Sequence, residues 1–332
     1  MIRAESNLLV LALILFAVSI TGCTDDPRNE EKRVNETTDP GIPLCEEWEA
    51  NPEDLENAIN IHCLIERGEF ADPDPQVPDV LRVVDWNIER GHRIDDILNA
   101  FQTDPVLATA DIILLQEADR GCPRTGRRNI TREIAETLAM DYVYAVEFVE
   151  IGQERCEHGN AILSRFPLGE ADQLRHTDFE KWYEEGRLGG RVTIRADVLI
   201  DGLPIRIASV HYMSSVLYYF KGHQAQTGET LDFIGATGGP VIWGGDLNTG
   251  IYYVTGFEPS IELVFEEEYD DGLAGLPHMD TWTSCKEPPI PRMRLDWIFS
   301  RGLGPAGGRV LYEEHLGDLS DHLGIYADFR LD

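Results

Sequence analysis

The feature that most constrains the fold of this chain is a series of short apolar segments, nearly all followed by a polar side chain. Segments of this length, bounded by turn residues, predict β-strands. Residues 94–101, 130–140 and 223–234 are plausible helices. Because strands also follow one another directly, the order favours two packed sheets with helices outside over a strict alternation of strand and helix. The clearest predicted strands are residues 81–84, 112–115, 161–163, 192–200, 205–210, 241–243, 297–299 and 325–329.

The charge of the chain limits its partners. It has 332 residues and 42% hydrophobic content, which is typical of a globular protein with a sizeable core. Twenty-eight Lys and Arg against 60 Asp and Glu give a net charge of -32. The average surface therefore repels nucleic acid, anionic membranes and other polyanions. Binding of a phosphate requires a local exception to this charge.

The first residues resemble a targeting segment. Arg3 is followed by an apolar run at residues 8–20 that is short for a membrane span, and residues 20–23 (Ile-Thr-Gly-Cys) resemble a bacterial lipobox. We expect a lipoprotein signal peptide at residues 1–22, cleavage before Cys23 and a lipid on its thiol. A plain signal peptide is the alternative, and a spanning helix fits less well because residues 24–43 carry no stop-transfer hydrophobicity. The expected location is extracytoplasmic, membrane-anchored through Cys23, periplasmic or on the cell surface.

Three further regions follow the predicted signal peptide. Residues 23–44 are polar and predict a flexible tether. Residues 45–78 predict an N-terminal helical extension, with a helix start at Asn51-Pro52 and Leu55, Ile59 and Leu64 at approximate helical spacing. Residues 79–332 predict one catalytic domain. We expect a monomer.

An oxidising compartment would allow disulfides. With Cys23 lipidated, two bridges and one spare thiol among five cysteines can be drawn about fifteen ways, from five choices of spare and three pairings. Proximity favours Cys45–Cys63. Cys122–Cys156 is also favoured, because this bridge would pin the loop after Glu117 beside residues 158–160. The five cysteines are Cys45, Cys63, Cys122, Cys156 and Cys285.

Carboxylates and amides at strand ends indicate metal-assisted hydrolysis. Asn87 and Glu117 each end a predicted strand, and oxygen ligands suit a hard cation such as Mg²⁺. Asp246 and Asn248 follow two glycines, so an acceptor and a donor face the same side of an extended segment. An Asp can deprotonate a water, and an Asn can donate to an oxygen where charge develops. The alternatives are a solvated strand-end acid for Glu117 and an Asx turn at Asp246.

Two histidines complete the set. Asp296 interrupts an apolar strand, where an unpaired charge is costly, so it needs a partner. His322 is the natural one, since a carboxylate that holds one imidazole nitrogen leaves the other facing substrate. His211 is a second imidazole at a strand end. A lone histidine there is more often structural, but two with matched acids favour a site.

The ordered motifs resemble the endonuclease/exonuclease/phosphatase superfamily, whose founding fold is that of pancreatic DNase, over about residues 79–331. The resemblance implies an α/β fold, a four-layer α/β sandwich of two mainly antiparallel sheets packed face to face with helices outside. It also implies hydrolysis of a phosphodiester or phosphomonoester by in-line attack of water. The motifs are Trp86-Asn87-Ile88, Leu115-Gln116-Glu117, Gly159-Asn160-Ala161-Ile162-Leu163-Ser164-Arg165, Ser209-Val210-His211, Gly245-Asp246-Leu247-Asn248, Leu295-Asp296-Trp297-Ile298 and Ser320-Asp321-His322.

The same resemblance implies metal and substrate contacts. Glu117 would be the main ligand of a divalent metal, usually Mg²⁺ or alternatively Mn²⁺, with Asn87 beside it and Asp321 near the metal. Asn160 would reach the substrate.

It also implies a division of catalytic roles. Asp246 would orient the water and Asn248 the phosphate. His322, with Asp296 behind it, would contact the scissile phosphate. His211 would assist the leaving group or the phosphate.

Five arginines follow Glu117 in this acidic chain, and they are the local exception that the net charge requires. Guanidinium groups match phosphate oxygens, so Arg124, Arg127 and Arg128 are predicted to bind substrate. The alternative is that the arginines pair with neighbouring acids such as Asp119 and Glu133. The five are Arg120, Arg124, Arg127, Arg128 and Arg132.

Three functions fit the sequence. The first is a metal-dependent phosphodiesterase that acts on nucleic acid outside the cytoplasm. The second is a sphingomyelinase-like or phospholipase C-like enzyme that hydrolyses a phospholipid head group. The third is a catalytically dead binding module, which the intact set of predicted site residues disfavours.

Overall fold

The computed structural model describes residues 43–45, 61–153, 155–177, 182–214, 219–235, 238–250, 255–277, 282–283, 293–312 and 315–331. The predicted signal peptide, Cys23, the predicted helix start at Asn51 and Cys285 lie outside these residues. In the described part of the chain, no helix is both long enough and apolar enough to span a membrane.

The described residues form strands and a smaller number of helices. The strands are β1 (Glu66–Gly68), β2 (Val80–Arg90), β3 (Ile112–Arg120), β4 (Asp141–Glu150), β5 (Cys156–Ser164), β6 (Leu168–Arg175), β7 (Arg187–Gly189), β8 (Val192–Ile200), β9 (Leu203–His211), β10 (Val241–Asp246), β11 (Asp270–Asp271), β12 (Asp296–Arg301), β13 (Pro305–Val310) and β14 (Ile325–Arg330). The α-helices are α1 (Ile94–Thr103), α2 (Ile130–Leu138), α3 (Tyr219–Gly235) and α4 (Pro259–Glu266).

Two sheets share these strands. The first has the order β1-β4-β5-β3-β2-β14-β13, and β7 also pairs with β4. The second has the order β11-β12-β10-β9-β8-β6. Strands β2 and β3 pair in parallel, as do β9 and β10, and the other pairs are antiparallel. The predicted pair of mainly antiparallel sheets is confirmed.

Three apolar clusters separate four layers. Val83 and Leu114 of the first sheet pack against Ile207 and Ile298 of the second, and all four are fully buried. Strands buried on both faces require near-continuous apolar runs, which explains why the predicted strands lack a clean alternation. Burial of one such side chain contributes about 1.5–3 kcal/mol, so this central cluster is a main source of stability.

The helices cover the two outer faces. Phe101 of α1 and Ile134 of α2 pack on the first sheet. Ile234 of α3 and Ile261 of α4 pack on the second. The four-layer sandwich implied by the motifs is therefore the observed architecture. Helix α2 ends where Ala139 adopts a left-handed conformation with a φ of 51°.

The described part of the N-terminal extension is extended rather than helical. Leu64 lies in irregular chain next to Cys63, which pairs with Cys45 through a bridge and a disulfide. Strand β1 then adds to the edge of the first sheet beside β4. The backbone N–H of Leu64 donates to the carbonyl of Leu44 at 2.9 Å, so pairing with the segment around Cys45 overrides the weak helical spacing that assigned Leu64 to a helix. The second favoured disulfide, Cys122–Cys156, is also present.

Candidate active site

Strand register brings several predicted site residues to one edge of the sandwich. In the second sheet, Asp246 lies opposite His211 on one side and Asp296 on the other. In the first sheet, Asn87 lies opposite Gln116, directly before Glu117. The carboxyl ends of parallel strands meet at the same edge of a sheet, which is why residues far apart in sequence converge here.

A glycine lets the two central strands approach. Gly245 has a φ of 145°, and a Cβ at this position would lie 1.9 Å from the carbonyl oxygen of Val210. After it, Asn248 adopts a φ of 53° and its backbone N–H donates to Asp246 Oδ1 at 2.9 Å. This is the Asx turn that the sequence left as an alternative. Any side chain at position 245 would separate His211 from Asp246.

The carboxylate of Asp246 lies at the centre of the site. Asn87 Nδ2 donates to Asp246 Oδ2 at 3.1 Å. The Nε2 atoms of His211 and His322 lie 3.5 Å and 3.6 Å from the same oxygen. Burial raises the pKa of Asp246, the charge of His322 opposes that effect, and the charge of Asp296 adds to it. One buried carboxylate oxygen thus faces an amide and two imidazoles.

Asp296 holds His322, as the sequence predicted. His322 Nδ1 lies 2.8 Å from Asp296 Oδ2, and Asp296 is fully buried. Burial alone would lower the pKa of His322, but the charges of Asp296 and Asp246 outweigh it and raise that pKa well above its ordinary value. The imidazole is therefore a cation at neutral pH, with Nε2 directed at Asp246.

The loop before β14 is fixed to β2. The hydroxyl of Ser320 donates to the carbonyl of Asn87 at 2.7 Å, and the backbone N–H of His322 donates to Ser320 Oγ at 3.1 Å. Trp86 Nε1 donates to the carbonyl of His322 at 3.1 Å. The bonds to Asn87 and from Trp86 join the Ser-Asp-His motif to β2, and the bond between His322 and Ser320 fixes the motif internally.

Glu117 stands at a distortion in the first sheet. The register between β3 and β5 shifts between Leu115 and Ala118, and Glu117 adopts a φ of 54°. Such a bulge redirects a side chain at a sheet edge. Burial alone would raise the pKa of the Glu117 carboxyl, but the charges of His158 and His211 outweigh it and hold the pKa below its usual range. The charges of the two histidines therefore favour the ionised form of Glu117.

Two more acids lie near Glu117. Burial raises the pKa of Asp321, and the charge of Glu117 adds to it. Burial and the charge of Asp321 raise the pKa of Glu89 to about 7. Glu89 was not predicted as a site residue, although it follows Asn87 by two residues and donates its backbone N–H to Asn87 Oδ1 at 3.1 Å.

Sequence reasoning also missed Glu147 and Arg191. Glu147 Oε2 lies 3.2 Å from His211 Nδ1, and Arg191 Nη1 lies 3.3 Å from the same carboxylate oxygen and 2.8 Å from His211 Nδ1. Burial alone would raise the pKa of Glu147, but the charges of His211 and Arg191 lower it to about 2. Glu147 is an acid in the interior of the largely apolar strand β4, which was a usable signal, whereas Arg191 had none.

Asn160 lies behind this group rather than on the open face. Its side chain is fully buried, and Nδ2 donates to Glu147 Oε1 at 3.2 Å and to the carbonyl of Val192 at 3.0 Å. In the described residues its contacts support Glu147, so a direct contact with substrate stays a prediction.

The arginines after Glu117 pair largely with acids. Arg124 donates to both carboxylate oxygens of Asp119 at 2.7 Å and to Glu150 at 3.1 Å. Arg128 pairs with Glu133 and with Asp95. For Arg124 and Arg128 the structure therefore shows the alternative interpretation, in which the arginines pair with neighbouring acids, and not the predicted contact with substrate. Arg127 has a φ of 59° in the same loop, and its predicted contact with substrate stays a prediction.

Two groups of side chains could hold a divalent cation. In the first, ligand atoms of Asp246, Asp296 and His322 lie within 4.8 Å of one another. However, the imidazole of His322 is already bonded to Asp296, and its raised pKa keeps it protonated. A metal requires the neutral imidazole, so this group is better suited to acid–base chemistry.

A second set of described residues carries oxygen donors of the kind that a hard cation accepts, although the structure does not bring three of its acidic ligand atoms within 4.8 Å of one another. It offers oxygen atoms from Glu117, Asp321, Glu89 and Asn87. The raised pKa values of Glu89 and Asp321 arise from burial and mutual repulsion between acids. A bound cation would relieve that repulsion, and oxygen donors are the ligands that Mg²⁺ and Mn²⁺ accept.

Comparison with known proteins supports this description. A family model described as the Endonuclease/Exonuclease/phosphatase family matches residues 86–322. A comparison with curated proteins finds no significant match. An endonuclease/exonuclease/phosphatase from Beutenbergia cavernae DSM 12333 is similar in structure, with 21% identity, 76% of this chain and 72% of that chain covered, and a TM-score of 0.61.

Two other solved structures share the fold. An endonuclease/exonuclease/phosphatase from Bacteroides vulgatus has 16% identity and a TM-score of 0.57, and the alignment covers 76% of this chain and 99% of that chain. D. rerio TDP2 complexed with a single strand DNA product has 18% identity and a TM-score of 0.56, and the alignment covers 76% of this chain and 100% of that chain. Because the family match extends from Trp86 on β2 to His322, the chain belongs to the endonuclease/exonuclease/phosphatase family.

Proposed function

We propose that the protein is a divalent-metal-dependent phosphodiesterase that hydrolyses its substrate by in-line attack of water. The observation that carries this proposal is the position of Asp246 Oδ2, which lies among Asn87, His211 and His322 at 3.1–3.6 Å. A buried carboxylate with a raised pKa is a base for water, and the surrounding donors can accommodate a phosphate group.

Three residues of the chain have distinct catalytic roles in this proposal. Asp246 orients the attacking water and accepts its proton. The imidazolium of His322, held by Asp296 at 2.8 Å, stabilises negative charge that develops on the phosphate oxygens. His211, supported by Glu147 on its Nδ1 side, donates to the phosphate or to the departing oxygen.

One of the two hydrogens on the side-chain amide of Asn248 is already hydrogen-bonded within the protein. Nδ2 donates to the carbonyl of Tyr212 at 3.0 Å, which leaves the second hydrogen to orient the phosphate. Removal of one such donor typically costs about a hundredfold or more in rate.

The metal would be held by Glu117, with Asn87 and Asp321 as further ligands and Glu89 close by. A bound Mg²⁺ or Mn²⁺ would withdraw charge from the phosphate and lower the barrier to attack. Depression of the Glu117 pKa keeps its carboxylate ionised and ready to bind.

We propose nucleic acid as the substrate class. The structural similarity to D. rerio TDP2, whose structure contains a single strand DNA product, supports this choice at the level of fold. A phospholipid head group is the second candidate. It is favoured by Phe220 and Phe257, which are 46% and 56% exposed and lie on the segments that follow β9 and β10.

Turnover of plasmid DNA, sphingomyelin and phosphoinositides with Mg²⁺ tests the activity and the substrate class together. Asp246→Asn and His322→Ala should each lower the rate by about a hundredfold or more in folded protein. Normal turnover in either variant would mean that the chemistry occurs elsewhere. No turnover of any diester would favour a binding module without activity.

We further propose that the enzyme is an extracytoplasmic lipoprotein, monomeric and anchored through Cys23. Cys23→Ser should leave the protein unprocessed or release it from membranes. Mass spectrometry of the mature N-terminus measures this directly, and an unlipidated wild-type N-terminus in the medium would contradict the proposed anchor.

A further inference from the structure

A second carboxylate–imidazole pair lies next to Glu117, outside the residues assigned above. His158 Nδ1 lies 3.0 Å from Asp119 Oδ1, and Asp119 is fully buried. The pair repeats the arrangement of Asp296 and His322, in which an acid fixes one nitrogen of a ring and leaves the other available.

Strand register places the pair at the site. Asp119 of β3 lies opposite His158 of β5, and the neighbouring pair is Ala118 with Gly159. Both follow directly on the bulge that carries Glu117. His158 also precedes Asn160 by two residues, so both side chains share one face of β5. The charge of His158 also acts on the Glu117 carboxyl and lowers its pKa, so the ring lies close to Glu117.

Several contacts hold the ring in one orientation. Phe148 stacks on it, with ring centroids 6.2 Å apart and an interplanar angle of 20°. Arg124 fixes Asp119 with two bonds at 2.7 Å. The Cys122–Cys156 disulfide joins the loop that carries Arg124 to the start of β5.

The imidazole is not needed to balance Asp119. Arg124 already makes two charge-assisted bonds to that carboxylate, which is the strong geometry for such a pair. In contrast to Nδ1, Nε2 of His158 has no hydrogen-bond partner in the described part of the chain, and 7% of the side-chain surface is exposed. A ring fixed on one nitrogen, with the other nitrogen unbonded, is prepared to bind a ligand.

We propose that His158 is a substrate-contacting residue whose Nε2 hydrogen-bonds an oxygen of a group esterified to the scissile phosphate. This proposal rests on the proposed phosphodiesterase function. It assigns His158 to recognition of the substrate beside the reacting centre, and leaves the attack on phosphorus to Asp246 and His322.

The test compares two diesters in wild-type protein and in His158→Gln. Thymidylyl-thymidine carries oxygen-rich groups on both sides of the phosphate, whereas methyl 4-nitrophenyl phosphate carries a methyl group on one side and, on the other, a ring whose oxygen atoms lie only in the distant nitro group. Gln can still donate to Asp119, so the fold and the metal affinity should be preserved. We expect kcat/KM for the dinucleotide to fall about tenfold or more, as for loss of one bond in a charged site. The value for the small diester should change less than about threefold.

His176→Gln is the matched control. His176 is also buried and carboxylate-paired, with Nδ1 2.9 Å from Glu229, but its Nε2 is occupied by Thr193 Oγ1 at 2.7 Å. His176→Gln should therefore change kcat/KM for the two diesters by the same factor.

Equal losses on both diesters, or no loss on the dinucleotide, would overturn the assignment of His158. A wild-type enzyme that hydrolyses both diesters while His158→Gln is unchanged would refute this inference alone. Hydrolysis of neither diester by the wild-type enzyme with Mg²⁺ would refute the proposed function itself.

Discussion

The contact between Asp296 and His322 gives a prediction whose size follows from the structure. Asp296→Asn keeps an oxygen that can accept from His322 Nδ1 but removes a negative charge 2.8 Å from the ring. An opposite charge at this range typically moves a pKa by about 1–3 units. We therefore expect the pKa of His322 to fall by that amount, which is about 1.4–4 kcal/mol of lost preference for the imidazolium. Asp246 lies 3.6 Å from Nε2, and its charge still raises the pKa of His322 in this variant.

The assay is the pH dependence of kcat/KM on a phosphodiester at fixed ionic strength. The alkaline limb should move to lower pH by about one to three units. Asp197→Asn is the control, because Asp197 is 44% exposed and pairs with Arg206 on the second sheet. An unmoved alkaline limb in folded Asp296→Asn would refute the role of this pair.

The same substitution changes stability with a definite sign. Because the folded-state pKa of His322 is raised above its ordinary value, its contribution to stability is fully present below pH about 6.5 and is lost as the pH rises through the folded-state pKa. The difference in unfolding free energy between wild type and Asp296→Asn should therefore be largest in acid and shrink towards alkaline pH.

Two further predictions concern buried ionisable groups away from the reacting atoms. Arg124→Ala leaves fully buried Asp119 without its main partner and should cost about 3–5 kcal/mol of unfolding free energy. Arg132→Ala removes a pair whose members are 56% and 45% exposed and should cost about 0.5 kcal/mol or less; equal losses by denaturant titration would mean that Asp119 is not buried as described. Burial lowers the pKa of His223 from 6.5 to about 4, so its contribution is full above the unfolded-state value and is lost as the pH falls towards 4, by about 3 kcal/mol. His223→Gln should flatten the decline in stability between these pH values, and an unchanged slope would contradict the burial of a neutral ring.

Much of the fold followed from the order of apolar runs and turns. Mostly apolar runs of three to nine residues that lack strict alternation suit strands buried on both faces, as those of Val83 and Ile207 are. Helix α4 was missed, although Pro259 at its first turn was a usable signal. The three-residue strand β1 could not be predicted, because its conformation depends on pairing with β4 and not on its own sequence.

The site could be predicted from the sequence at positions where an unpaired buried charge would be costly in free energy. An acid inside an apolar strand requires a partner, which identified Asp296 and could have identified Glu147. The partner of Arg128 illustrates the limit, since Asp95 lies 33 residues away on α1 and only the folded chain brings them together. For the same reason, the pairing of His158 with Asp119 was not visible in the sequence.

The central claim is tested most directly by hydrolysis of a phosphodiester before and after removal of divalent cations, in wild-type protein and in Asp246→Asn. The account predicts turnover by the wild type that EDTA abolishes and added Mg²⁺ or Mn²⁺ restores. It predicts a rate about a hundredfold or more lower in Asp246→Asn under the same conditions. Full activity of the wild type after exhaustive chelation, or equal rates in the two proteins, would contradict it.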